Sequence, residues 1–351
     1  MTSDKSQKKS KTSAILNYIL SFALTIIFLY VAFHDVDFSE VLTIVGKADL
    51  FWIFVFVVVS MLAHYLRALR WKYILNSVKS DVSIKNLFGA LMIGYGVNCV
   101  TPKLGELTRA VLLGKWEGLS RSSMFGTVVL ERVLDVVTFG ISILIALYIA
   151  SVSLTEKFPW LITSLYITAV IIIALVFILI FILKSKEKFS LMIVKFLGRF
   201  SPRAADRIAY IFTMLAEGFT SLKGIKNYFW TFCLTILITL LYALSSYIGF
   251  LMFGLQNIQP LTFGMGWIIM SISSIGTLIP TPGSAGSYHA LAKSTMVLIF
   301  GFTETIGAAY AFLTHIIGYF LFIITALVMF ILLNKQKVNI FKVVETEIND
   351  L

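Results

Sequence analysis

The sequence predicts an all-α integral membrane protein of about six full transmembrane helices plus two opposed re-entrant hairpins, about eight membrane segments arranged as an inverted-topology repeat. Three observations predict it. Of 351 residues, 58% are hydrophobic and 13% charged, and the mean hydropathy is +0.91, too apolar for a soluble globular chain. Apolar runs long enough to cross a bilayer recur along it. Two further apolar runs end in polar stretches broken by proline and glycine, Asn98 to Arg109 and Pro280 to His289. Lipid cannot satisfy free backbone groups, so each break must be buried in protein or line a wet cavity.

Charge places the runs. The chain carries 29 Lys and Arg against 18 Asp and Glu, net +11, an excess that in a membrane protein marks cytoplasmic loops rather than nucleic-acid binding. Residues 1–12 form a cytoplasmic tail with Lys5, Lys8, Lys9 and Lys11, and the retained first crossing spans Ser13 to Phe33. The loop His34 to Asp49 is acidic and reads as external. Leu50 to Leu66 returns inward and closes on Arg67, Arg70 and Lys72, whose default reading is snorkelling to headgroups, with an inner-vestibule role as the sharper alternative.

Ile84 to Val100 has basic residues on both sides, so a re-entrant hairpin keeps both clusters inside. Ser123 to Ala150 crosses outward, and Trp160 to Leu183 crosses back. Residues 184–226 are strongly basic, with two stretches at helical spacing that either lie on anionic lipid or pack on the protein itself. Tyr228 to Phe253 crosses outward. Thr262 to Phe300 forms the opposing hairpin, and Thr305 to Leu333 goes inward to a basic tail at 334–351. The two halves, 13–150 and 160–333, repeat one pattern with directions reversed, the hallmark of a transporter whose site lies between corresponding breaks.

Three constellations carry chemistry. At the first break, around Pro102 and Gly105, Glu106 and Arg109 share a helix face. Arg109 with Lys103 is suited to a phosphate; the alternative is an interfacial salt bridge. Glu131, Arg132 and Asp135 are costly inside a span and imply partners or a wet cavity, with Arg109, Arg67 or Arg70 as the cation between the two carboxylates; the alternative is a place in the first turns near water. At the second break Pro280, Pro282, Gly283, Gly286 and His289 read as an outer gate, in which His289 either titrates or is a hydrogen-bonded structural residue.

Cys99 and Cys233 have no metal or redox spacing. Phosphate-loop, zinc-protease and nucleophile-elbow motifs are missing, so neither a cofactor nor an enzymatic activity is expected, and no metal.

Arg70-Trp71, Asn98, Pro102, Lys103, Gly105, Glu106, Arg109, Glu131-Arg132, Asp135, Pro280, Pro282, Gly283 and Gly286, in that order and spacing, resemble the lysylphosphatidylglycerol synthase transmembrane family. That family, also called flippase-like domain proteins, includes the N-terminal membrane half of the multiple peptide resistance factor. The resemblance covers nearly the whole chain. It implies a multi-pass protein of a prokaryotic plasma membrane that moves a phospholipid or related amphiphile between leaflets, the motif residues lining a cavity; the charge bias puts both termini on the cytoplasmic side. Two departures are visible. The family's second break usually reads Pro-Gly-Gly-x-Gly-x-x-Glu, whereas Ser284 stands here at the second glycine and His289 at the glutamate. The soluble aminoacyltransferase domain is also missing, so synthesis of the lysyl lipid is not expected. The alternatives are a secondary transporter of a small anionic solute and a non-catalytic accessory subunit of a lipid-modifying enzyme. The expected partner is a membrane phospholipid, with a homo-oligomer or a lipid-synthesising enzyme as further possibilities.

Overall fold

The computed structural model describes residues 19–76, 78–154, 163, 166, 167, 170, 174 and 224–333. Most of the expected crossing Trp160 to Leu183 and of the basic segment 184–226, and both tails, lie outside the described residues. Within them every regular element is helical, and no strand occurs.

The bent pair α1 (Ile19–Phe33) and α2 (Phe38–Gly46) comes first, turning by 80°. The expected external loop is thus largely helix. Its start is set by Asp37, whose carboxylate accepts the Ser39 N–H at 2.8 Å, and Glu40 follows in the first turn. Among the described residues, four helices are long and apolar enough to cross a membrane: α3 (Leu50–Leu75), α6 (Arg121–Leu154), α7 (Ile225–Met252) and α10 (Glu304–Leu333). The bent pair makes up to five. Between them lie the short apolar helices α4 (Ile84–Val100) and α8 (Phe263–Ile275), followed by α5 (Gly105–Glu117) and α9 (Ser287–Ser294) after the respective breaks. The protein is therefore an all-helical, multi-pass membrane protein.

One boundary needs correction. The second crossing does not close at Leu66; α3 continues to Leu75 and carries Arg67, Arg70 and Trp71 within it. These side chains are 8%, 1% and 0% exposed, so the two arginines do not snorkel.

The chain divides into two compact units. The first comprises residues 1–64, 89–109 and 240–351. Its core gathers Phe250, Leu255, Ile269, Met296, Phe302 and Tyr310, with Val41 of α2 packed under Ala308 and Ala309 of α10. Here α4 and the start of α5 meet backbone to backbone. A Cβ on Gly105 would run into the Gly94 carbonyl, and one on Gly94 would lie 2.7 Å from the Gly105 oxygen. The second unit comprises residues 65–88 and 110–239. In it Trp71, Ile74, Leu75, Leu112 and Leu113 are fully buried, and the Trp71 indole donates to Thr127 at 3.1 Å.

Candidate functional site

In the second unit, α3 and α6 bring four charges together. Glu131 lies eight residues past Ser123, where the apolar window of α6 opens, about 12 Å along the helix axis. It is 0% exposed, so protein rather than solvent surrounds its carboxylate. Arg67 Nη2 donates to Glu131 at 2.7 Å and to Asp135 at 2.6 Å. Arg70 Nη2 donates to the same carboxylates at 3.1 and 2.5 Å, and its Nη1 reaches the Thr235 hydroxyl of α7 at 3.2 Å. Both pairs share a helix face, since Arg67 and Arg70 are three apart and Glu131 and Asp135 four. Arg67 and Arg70 thus fill the role of the cation between the two carboxylates. Arg132 stands at the rim, 3.6 Å from Asp135 and with 38% of its side chain exposed. An ion-pair cluster in a low-dielectric span is held by its own completeness: each charge is tolerated because its partners are present.

The first unit builds a different arrangement. Pro102 lacks an N–H, and Lys103 turns the chain with a left-handed φ of 67°, so α4 cannot run on into α5. Asn98, still in α4, reaches across the gap. Its carbonyl accepts the Gly105 N–H at 2.8 Å and its amide donates to Glu106 at 3.3 Å. Asn98 and Glu106 therefore fasten the start of α5. Arg109 is 1% exposed, its Cβ lying where a Cβ on Gly94 would approach to 3.3 Å.

At the second break, Gly283, Ser284 and Gly286 all take positive φ, 55°, 62° and 82°. The Ser287 hydroxyl donates to the Gly276 carbonyl at 2.8 Å, closing α8 onto α9. His289 Nδ1 accepts the Gly286 N–H at 3.1 Å. His289 therefore makes the hydrogen bond that its structural alternative calls for. The ring is 5% exposed and caps α9, and a proton on Nδ1 would remove the acceptor.

The two breaks touch within this unit. Lys103 Nζ donates to the Thr277 carbonyl at 3.0 Å. Tyr319 donates to the Cys99 carbonyl at 2.5 Å, and His315 Nε2 lies 2.9 Å from the Gly283 carbonyl.

The chain matches the family described as Lysylphosphatidylglycerol synthase TM region over residues 18–326. It belongs to that family. Among its relatives, a UPF0104 membrane protein of Methanothermobacter thermautotrophicus is 26% identical over 81% of this chain and 86% of its own length. Another from Methanocaldococcus jannaschii is 22% identical over 93% and 96%. A protein named Glycosyltransferase AglD, of Haloferax volcanii, is 22% identical over 83% of this chain but half of its own length. No solved structure matches.

In this member of the lysylphosphatidylglycerol synthase transmembrane family, the geometry at the second break says what Ser284 and His289 do. Ser284 occupies a left-handed position that glycine adopts without strain. His289 stands at the third residue of α9, where a glutamate reaches back to the cap N–H in a capping box; the imidazole performs that bond instead. The sequence reading did not single out Lys293, which is 7% exposed and pairs with Glu304 at 2.8 Å. A lysine inside the apolar run after the second break was the available signal. It singled out neither Tyr319 nor His315, because their partners are backbone carbonyls, which no side-chain pattern marks.

Proposed function

We propose that this member of the lysylphosphatidylglycerol synthase transmembrane family is a lipid translocase, a flippase or scramblase, and that it does no covalent chemistry. Its cargo is a phospholipid or related amphiphile in a prokaryotic plasma membrane. The observation that carries the reading is Glu131, fully buried in a long, predominantly apolar span and held by Arg67 and Arg70. Intramembrane charge of this kind is costly and is kept where a polar path must be held in lipid. The two Pro/Gly breaks add support, because irregular backbone at membrane depth lies against protein or a wet cavity. In this proposal the two halves form an inverted repeat, with two opposed hairpins and six full crossings in all, and both termini are cytoplasmic. Arg109, nearly fully buried beside the first break, is the group for the headgroup phosphate, with Lys103 at the exposed edge.

A second reading is favoured by one relative. The Haloferax protein named a glycosyltransferase is matched over half of its length, so an accessory role beside a lipid-glycosylating enzyme is the rival. Leaflet-resolved movement of headgroup-varied fluorescent phospholipids in proteoliposomes, read with an impermeant quencher, separates the two. Translocation by wild type that is lost in Arg109→Ala supports the proposal. Movement no faster than in empty liposomes for every lipid, with and without a membrane potential, favours the accessory role.

A further inference from the structure

The first unit contains a feature that neither the family nor the proposed translocation assigns: one helix holds both breaks. His315 and Tyr319 lie four apart on α10 and so on one face. Each takes a carbonyl from a different break. Tyr319 donates to Cys99 O at 2.5 Å, and His315 Nε2 meets Gly283 O at 2.9 Å. A carbonyl accepts, so this nitrogen carries the proton.

These two carbonyls lack helical partners for physical reasons. Cys99 is in the last turn of α4, where the final carbonyls have no intrahelical donor. Gly283 sits in a left-handed turn at φ 55°. In a membrane neither can turn to lipid. The contact is also tight: a Cβ on Gly283 would run into the Tyr319 ring and come within 3.5 Å of the Cys99 Cα. Lys103 adds a third bridge, to Thr277 O at 3.0 Å. The His315 ring is further enclosed by Tyr288 and His289, with centroids at 5.4 and 4.5 Å.

We propose that His315 and Tyr319 are positioning residues for translocation, a latch on α10 that sets the spacing of the two breaks through the Cys99 and Gly283 carbonyls. This rests on the translocase reading. Opening the path between the breaks requires these bonds to be exchanged, and the latch fixes how often that happens.

The test measures spacing and transport separately. In full-length protein with Cys99→Ser and Cys233→Ser, spin labels are placed at Val100 and Leu278, which are 66% and 58% exposed, and their distance distribution is recorded in liposomes. Each lost hydrogen bond is worth about 0.5 to 1.5 kcal/mol, so Tyr319→Phe and His315→Leu should each raise the longer-distance population by about 2- to 10-fold. His315→Gln keeps an N–H donor and should restore both the wild-type distribution and the wild-type transport rate. Tyr319→Phe keeps the ring and the packing, so it remains informative should the His315→Leu variant fail to fold. Distributions unchanged in Tyr319→Phe overturn the latch. Altered spacing with wild-type transport in both variants overturns the positioning role. If wild type moves no lipid while the variants still shift the spacing, the translocase reading falls and the latch stands.

Discussion

The two units face one problem, polar groups where there is little water, and solve it in different ways. The second unit gathers full charges: Arg67, Arg70, Glu131 and Asp135 neutralise one another across α3 and α6. At its breaks the first unit relies mainly on neutral side chains bonded to backbone: Asn98 accepts from the Gly105 N–H, while Tyr319 and Ser287 donate to the Cys99 and Gly276 carbonyls. A charge cluster is all or nothing, because removing one member strands another in low dielectric. A backbone-directed bond fails singly and cheaply. The difference assigns rigidity to the second unit and adjustability to the breaks.

The largest effect should come from breaking the cluster. Glu131→Ala leaves Arg67 and Arg70 to share the single carboxylate of Asp135, and loss of about 3 to 5 kcal/mol is expected, read as a lowered midpoint of thermal unfolding in detergent. Asp135→Ala should cost less, since its side chain is 21% exposed against 0% for Glu131. Arg132→Ala should cost least. Equal losses at all three would end the distinction between a buried cluster and a wet rim.

Next comes backbone contact at the first break. Gly105→Ala must push α5 away from the Gly94 carbonyl, an overpacking that costs about 1 to 3 kcal/mol. The same melting assay checks it, and a neutral outcome would show that the break is already loose. At the second break the sign reverses. Ser284→Gly relieves a left-handed serine at φ 62°, worth about 1 to 2 kcal/mol, part of which is offset by the greater freedom of glycine in the unfolded chain. A net gain of up to about 1 kcal/mol is expected, and destabilisation would mean that the Ser284 side chain itself holds the turn.

These contrasts also show what was legible in the sequence. Local chemistry was legible. Pro102 and Gly105 mark the break before α5, and Gly283 and Gly286 the one before α9, because turns are written in neighbouring residues. The need of Glu131 and Asp135 for a cation followed from their spacing alone. The end of α3 was not legible, since Arg67, Arg70 and Lys72 after an apolar run look like an interface; their burial depends on carboxylates more than 60 positions away. Helix α2 could have been read. Asp37 followed three residues later by Glu40 is an N-terminus signature, but the acidity of the stretch pointed to a loop.

The smallest effect tests whether ion pairing or dryness makes the cluster strong, using an ion pair of the second unit near a helix end. Lys79 Nζ donates to Glu117 Oε2 at 2.9 Å and to the Glu117 carbonyl at 3.0 Å, and Asn86 donates to Oε1 at 2.7 Å. Burial pushes the Glu117 carboxyl up, but the hydrogen bonds from Lys79, Asn86 and Ser83 outweigh it and hold its pKa below the ordinary value. A carboxyl depressed on folding stabilises fully above its unfolded pKa and loses that contribution as pH falls through the folded one. The window therefore opens near the ordinary glutamate value of about 4.3 and extends below it. Lys79 is raised, chiefly by its hydrogen bond to Glu117, so its share is present below the unfolded lysine value and fades only at strongly basic pH. Melting wild type and Glu117→Gln across pH should show wild type ahead at neutral pH, the gap closing as the buffer passes below about pH 4. A gap as wide as that of Glu131→Ala would mean that pairing with a lysine whose side chain is 29% exposed is enough.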